Sequence, residues 1–170
     1  ICRCSVIALP VIFFHGYGEM ELGAAFAMLF EKCSIDNPIV LDLGCGPFTA
    51  GLALAKVLGP LTPFDYIGVD RSSAMRELGE RLASDAVTLG GLAVQQERHW
   101  AASLDEVCWP RAPGWRPVIV VISYLLASPT VEPVDLVQKM NSLLANLGRG
   151  PTAVLYTNSA KPGPNRSLPS

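Results

Sequence analysis

Charge is what this sequence has least of. Only 16% of its 170 residues are Asp, Glu, Lys or Arg, against about 25% in an ordinary soluble domain. Half of the residues are hydrophobic, which excludes a disordered chain, since disorder needs low hydrophobicity and high net charge. The thin charge suggests that part of the surface is covered, by a protein partner seated on an apolar edge of the fold or by chain that is missing here. Neither sign dominates: 13 basic and 15 acidic residues leave a net charge of -2. No basic footprint therefore marks a nucleic-acid binder, although a local patch would still permit one.

Long hydrophobic runs are also missing. The stretch from Ser5 to Phe14 is far shorter than the ~20 residues that cross a bilayer, and Pro10 interrupts it. No small-residue cleavage site follows it, so it does not read as a signal peptide, and no membrane partner is expected. The chain begins at Ile1 rather than Met, which suggests that the natural N-terminus lies upstream. The five cysteines (Cys2, Cys4, Cys33, Cys45 and Cys108) are odd in number and have no framework spacing. A reducing, cytoplasmic setting is expected. Cys2 and Cys4 have no second Cys/His pair at zinc spacing, so no metal site is expected.

What is present is an alternation of short apolar runs with helical periods. Residues from Met20 to Cys33 place Leu22, Phe26, Met28, Leu29 and Phe30 in a buried helix, with Glu19 and Glu21 at its favourable N-terminal end. After the turn at Asp36-Asn37-Pro38, Ile39-Val40-Leu41 reads as a buried strand. A helix is predicted from Thr49 to Leu58, stopped by Gly59-Pro60. Phe64 to Val69 forms the second strand. Ser72 or Ser73 caps the next helix, with Met75, Leu78, Leu82 and Val87 on its apolar face, and Gly90-Gly91 ends it. Leu92 to Val94 begins a third, weaker strand. Pro117 to Ser123 contains the strongest strand in the chain, continuous enough to lie centrally in a parallel sheet. A helix starts at Pro133 and runs through Val137, Met140, Leu144 and Leu147 to Gly148, and Ala153 to Tyr156 makes the fifth strand. Residues 161–170 are an irregular tail rich in Pro, Gly, Ser and Asn.

This alternation predicts an α/β fold, an open parallel sheet with helices on both faces. The expected organisation is an N-terminal helical segment over 1–36, the α/β domain over 37–160 and the tail over 161–170. A chain of this size is expected to bury roughly 70% of its unfolded surface and needs no disulfide or metal staple.

In such sheets ligands bind at the carboxyl ends of the strands, where strand order reverses. The first strand runs into Gly44 and Gly46, which let the backbone turn sharply and approach a ligand, and the following helix offers unpaired N–H groups. Asp70 ends the second strand, where a carboxylate can accept hydrogen bonds from both ribose hydroxyls. Together these parts read as a site for a nucleoside-containing cofactor. The dinucleotide fingerprint G-x-G-x-x-G fails at Thr49, and the chain holds no Gly-Lys pair for a phosphate-binding P-loop.

Val40-Leu41-Asp42-Leu43-Gly44-Cys45-Gly46-Pro47 instead closely resembles motif I of the class I S-adenosylmethionine-dependent methyltransferases. Tyr66-Ile67-Gly68-Val69-Asp70-Arg71-Ser72 looks like their second motif. The resemblance covers roughly residues 37–159 and implies a Rossmann-like fold with S-adenosylmethionine as cofactor. It further implies that Gly44, Cys45 and Gly46 lie against the methionine part and that Asp42 orients its amino group. By the same resemblance Asp70 binds the ribose hydroxyls, Arg71 lies beside the adenine, Trp100 stacks on the adenine, and Ser123-Tyr124 faces the transferred methyl group. Ser123 is thereby a cofactor contact and Tyr124 the catalytic candidate.

Three departures from the pattern stand out. Phe48 occupies a position where the family usually has another glycine, so its ring narrows the site or packs under the helix. The family's acid after the third strand has no counterpart near His99. The family's sheet has seven strands and this chain shows five, as though C-terminal strands were missing or supplied by a partner.

Each candidate also has a plainer reading. Asp42 can cap the loop backbone, Cys45 can be merely small enough for a crowded turn, and Trp100 can pack against a helix. His99 reads as a surface histidine and Tyr124 as a core residue at a strand end, while Asp105-Glu106 reads as a solvated helical face. His15 and Tyr17 have only their position ahead of the first helix to connect them with the site. The sequence contains neither the Asn/Asp-Pro-Pro-Tyr tetrapeptide of amino-methylating nucleic-acid enzymes nor the Pro-Cys pair of cytosine-C5 enzymes. The expectation is a methyltransferase acting on an RNA, protein or small-molecule acceptor, the alternative being a non-catalytic methyltransferase-like scaffold. An oxidoreductase on a Rossmann sheet is the further rival, opposed by Thr49.

Overall fold

The chain is described here from a computed structural model, covering residues 13–14, 19–94, 96–110, 114–123, 125 and 131–157. Its centre is the strand β2 (Ile39–Leu43), every residue of which is buried. β3 (Asp65–Val69) pairs parallel to one side of it and β5 (Val118–Ser123) parallel to the other. Being covered on both faces is why these strands read as unbroken apolar runs rather than alternating ones.

The sheet extends through β4 (Arg98–Ala101) beyond β3, and through β6 (Thr152–Thr157) and β1 (Phe13–Phe14) beyond β5. The order among the described residues is β1-β6-β5-β2-β3-β4, parallel throughout. The two-residue strand at Phe13–Phe14 adds a sixth member to the five read from the sequence. It was hidden because so short a strand carries no period.

The third strand is displaced from its expected start at Leu92 to Val94. Val94 is exposed there, and pairing begins only at Arg98, opposite Tyr66. The sequence Arg98-His99-Trp100-Ala101 is too polar to look like a strand because it forms the sheet edge, where one side of the ladder is open.

Among the described residues four α-helices cover the sheet: α1 (Glu19–Lys32), α2 (Thr49–Leu58), α3 (Ser73–Thr88) and α4 (Pro133–Leu147). Leu22, Phe26 and Leu29 of α1 and Ala53 and Leu54 of α2 join Val40, Tyr66, Ile119, Val121 and Leu155 in one apolar layer. α1 thus shares its core with the α/β domain. On the opposite face Leu41, Leu43, Ile67, Val69, Val120 and Ile122 pack with Leu136, Met140, Leu143 and Leu144 of α4. α3 is capped by Ser72, whose Oγ accepts the Met75 N–H at 3.4 Å, and α2 ends at Gly59 with φ 84°. No helix among the described residues is long and apolar enough to cross a membrane.

The opposite end of the sheet is tied by Arg116. Its Nε donates to the Asn37 carbonyl at 2.8 Å and its Nη2 to Asn37 Oδ1 at 2.8 Å, while Nη1 pairs with Asp65. The other oxygen of the buried Asp65 accepts the Glu97 N–H at 3.0 Å. One guanidinium therefore registers the starts of β2, β3 and β5, leaving their carboxyl ends to form the site.

Candidate functional site

Strand order reverses at β2, whose chain successor β3 lies on one side and β5 on the other. A cavity of about 370 Å³ opens at the carboxyl ends of these strands. Leu43 at the end of β2 and Gly44 after it line the cavity, with Val69 at the end of β3, Asp70 and Arg71 after it, and Leu125 from beyond β5. This is the place where open α/β sheets bind ligands.

The loop after β2 is shaped by backbone conformation. Gly44 and Gly46 adopt φ of 75° and 52°, in the left-handed region that residues with a Cβ avoid. A side chain at Gly44 would also come within 3.4 Å of the Ser123 carbonyl oxygen. Both Gly44 and Cys45 donate their N–H groups to the Val69 carbonyl, at 2.8 and 3.2 Å.

Asp70 holds the loop from the other side. Its Oδ2 accepts the Gly46 N–H at 3.0 Å and its Oδ1 accepts the Ser72 N–H at 2.8 Å. Arg76 Nη1 donates to the Asp70 carbonyl. Each carboxylate oxygen has further lone-pair capacity, so an Asp70 fixed in this way can still accept a hydroxyl from a ligand in the cavity.

Asp42 lies beneath the loop, buried on the α1–α3 face of the sheet. Its Oδ2 accepts the Tyr66 hydroxyl at 2.6 Å, and its Oδ1 has no partner. Burial pushes its carboxyl up to about 7, the Tyr66 hydrogen bond opposing that rise and the Asp70 charge adding to it. Burial and the Asp42 charge also hold the Tyr66 phenol well above its usual range, and burial with the Asp42 and Asp70 charges keeps the Cys45 thiol protonated. Cys45 is thus a small neutral residue in a crowded turn, with no thiolate chemistry.

Phe48 is fully buried and points into the core rather than into the cavity. It precedes α2 with φ 73°, and its ring stands 4.7 Å from that of Tyr66 at 82° and 5.7 Å from that of Trp100 at 67°. Its left-handed backbone is the reason a glycine would suit this position.

Trp100 needs a correction. It lies within β4 rather than after it, and its indole is packed between β3 and α3, against Gly68 and Gly79. A Cβ at either glycine would come within 2.6 or 2.8 Å of the ring. Trp100 is not among the residues that line the cavity.

With the strand ending at Ala101, the residues that follow it are Ala102, Ser103, Leu104 and Asp105, and these do line the cavity. Asp105 stands four residues beyond β4, in the short 3-10 turn Leu104–Glu106, where it lines the cavity. It pairs with Lys139 of α4 at 2.7 Å, and Asp135 pairs with the same ammonium at 3.3 Å, the two carboxylates holding Lys139 more firmly protonated. Glu106 turns back to accept the Ala102 N–H at 3.2 Å and the Ser103 hydroxyl at 3.3 Å. His99 is half-buried on the other face of β4, its Nε2 without a partner.

Ser123 ends β5 beside Gly44, with its hydroxyl buried and unpaired. Tyr124, His15 and Tyr17 lie outside the described residues, as do Cys2 and Cys4. Among the described residues no group of three or more His, Cys, Asp or Glu side chains is arranged to hold a metal ion.

Neither a family model nor a curated protein sequence matches the chain. Its fold is similar to that of a magnesium protoporphyrin IX methyltransferase from Synechocystis PCC 6803 solved with bound SAM. There the identity is 19%, the TM-score 0.47, and the match covers 76% of this chain and 54% of that one. The same enzyme with bound SAH matches at 15% identity and a TM-score of 0.42, over 74% of this chain and 62% of that one.

Proposed function

We propose that the chain binds S-adenosylmethionine and transfers its methyl group to an acceptor. The observation that carries the reading is Asp70, which closes the Gly44–Gly46 loop by hydrogen bond and lines the cavity at the strand-order reversal. A carboxylate so placed suits ribose hydroxyls, and the left-handed glycines suit close approach of a ligand's chain.

Charge supports S-adenosylmethionine over a dinucleotide. The acids Asp70, Asp105, Glu132 and Asp135 outnumber the bases Arg71 and Lys139 around the cavity. A pyrophosphate would meet repulsion there, whereas a sulfonium and an ammonium would be attracted. In this reading the unpaired oxygen of buried Asp42 serves the amino group. Methyl transfer from a sulfonium is an in-line displacement on an activated carbon. The protein's part is alignment of acceptor and methyl group and exclusion of water, and a strong base is dispensable.

A non-catalytic scaffold would draw on three features: Phe48 as an obstacle to cofactor binding, a sheet short of seven strands among the described residues, and the low charge. The ring's place in the core, under α2, removes the first of these.

Calorimetric titration with S-adenosylmethionine, its demethylated product and NAD tests the reading. Micromolar binding of the first two without NAD is expected, and Asp70→Ala should weaken both by roughly tenfold or more, the loss of hydrogen bonds to a charged group. Transfer of a labelled methyl group to RNA, protein or small-molecule fractions then identifies the acceptor class. A folded parent chain that binds none of the ligands would defeat the reading.

A further inference from the structure

Asp42 is 1% exposed and uses only one of its oxygens: Oδ2 accepts the Tyr66 hydroxyl and Oδ1 has no partner. A buried polar atom without a partner is costly, and its persistence points to something that completes it. We propose that Tyr66 is a positioning residue for the cofactor's amino-acid end, occupying one oxygen of Asp42 so that the other is held for the ligand, with Phe48 seating Tyr66. The inference rests on the reading above, that the Gly44–Gly46 loop receives S-adenosylmethionine.

The geometry behind it is a stack of three rings under the loop. Tyr66 has no exposed surface, and the Phe48 ring meets it nearly edge-on at 4.7 Å, while Trp100 flanks it at 5.3 Å. With its ring enclosed on these sides the phenol cannot swing away, and neither can the carboxylate it holds. Phe48 occupies its place with φ 73°, a conformation that disfavours a residue with a bulky side chain. Strain of this kind persists where the surroundings over-determine it, and such places cluster at functional sites.

The groups facing Asp42 are Tyr66 from β3, Cys45 from the loop and Asp70 from the end of β3, with Arg76 of α3 near Cys45 and Asp70. Cys45 is neutral and Asp70 repels a second negative charge. The Tyr66 hydroxyl is therefore the neighbour that favours the charged form of Asp42. Without it Asp42 takes up a proton more readily, and an ammonium meets a neutral acid.

Tyr66→Phe and the parent chain are titrated with S-adenosylmethionine across the neutral pH range, alongside thermal unfolding. The variant keeps its ring packing. It is expected to bind roughly tenfold more weakly at neutral pH, as for a lost hydrogen bond to a charged group, with its pH midpoint of binding moved upward. A purely structural role would lower the unfolding temperature and leave that midpoint in place. Phe48→Leu keeps the hydroxyl but loosens its seat, so it should shift binding in the same direction by less, and it stands in if Tyr66→Phe does not fold. Parental affinity and midpoint in whichever of the two variants folds overturn the inference while leaving the cofactor reading intact. A folded parent that binds no S-adenosylmethionine overturns the cofactor reading, and the inference with it.

Discussion

The ring of Phe48 fills the space that a side chain on Gly51 would need: a Cβ built at Gly51 falls 2.0 Å from Cε2 of Phe48. The two residues stand one helical turn apart, at the start of α2, and each makes sense only with the other. The small residue admits the ring beneath the helix, and the ring completes the layer formed with Tyr66 and Trp100.

Gly51→Ala is therefore expected to destabilise the chain although alanine is the better helix former, with overpacking costing about 1–3 kcal/mol or more. Phe48→Ala should cost about 3–5 kcal/mol by leaving a cavity. In the double variant the alanine at 51 no longer meets a ring, so the combined loss should be clearly smaller than the sum. Urea midpoints of the four chains measure this coupling, and additive losses would contradict the packing described.

Most of the fold was legible because the strands β2, β3 and β5 are buried on both faces and leave continuous apolar runs in the sequence. The boundaries of α2, set by Thr49 and the Gly59-Pro60 stop, were legible for an equally local reason. β1 and β4 were not, since a two-residue strand has no period and Arg98-His99-Trp100-Ala101 is an edge strand with a polar composition. Misplacing β4 carried over into the site. It put Trp100 after the strand rather than within it. The Gly44–Gly46 loop and Asp70 were visible because their spacing is local to each strand end. Tyr66 was not singled out, because its partnership with Asp42 joins residues that meet only when β2 and β3 pair.

Arg116 offers a second test, at the end of the sheet away from the cavity. It reaches Asn37 twice and pairs with Asp65, which is 2% exposed. Arg116→Ala removes the guanidinium hydrogen bonds to Asp65 and Asn37, and the expected loss is about 2–3 kcal/mol, as for hydrogen bonds to a charged group. Arg116→Lys should recover little, because an ammonium cannot serve Asn37 and Asp65 with one planar fork. Chemical denaturation checks both. Cofactor affinity measured under conditions where the variants are folded should be close to that of the parent, since the network lies at the opposite ends of the strands.

Lys139 gives a contrasting expectation. It spans Asp105 and Asp135 at the rim of the cavity, but all three side chains are substantially exposed. Lys139→Ala should leave stability almost unchanged, as solvent screens an exposed ion pair. Its effect on ligand binding should run the other way, because removing the ammonium leaves Asp105 and Asp135 with uncompensated negative charge beside a cationic ligand. Tighter S-adenosylmethionine binding at low salt, fading as salt rises, is the expected result. Isothermal titration at two ionic strengths would show it, and a salt-independent loss of affinity would mean that Lys139 itself contacts the ligand.

The buried carboxyl of Asp42 makes a prediction about stability against pH. Its value rises from 3.8 to about 7 on folding, chiefly through burial. Between those two values the folded chain keeps a proton that the unfolded chain has released, so stability falls as pH rises through that window. The contribution is greatest below the unfolded value and fully lost above about 7, a span on the order of 4 kcal/mol. Asp42→Asn removes the titration while keeping the shape of the side chain. The variant should show a flatter profile and be more stable than the parent at mildly alkaline pH, with the difference shrinking or reversing under mildly acidic conditions. Urea midpoints of the two chains on either side of neutrality check the sign. Parallel profiles would mean that Asp42 is ionised in the folded chain throughout, with its charge held by more than the Tyr66 hydroxyl.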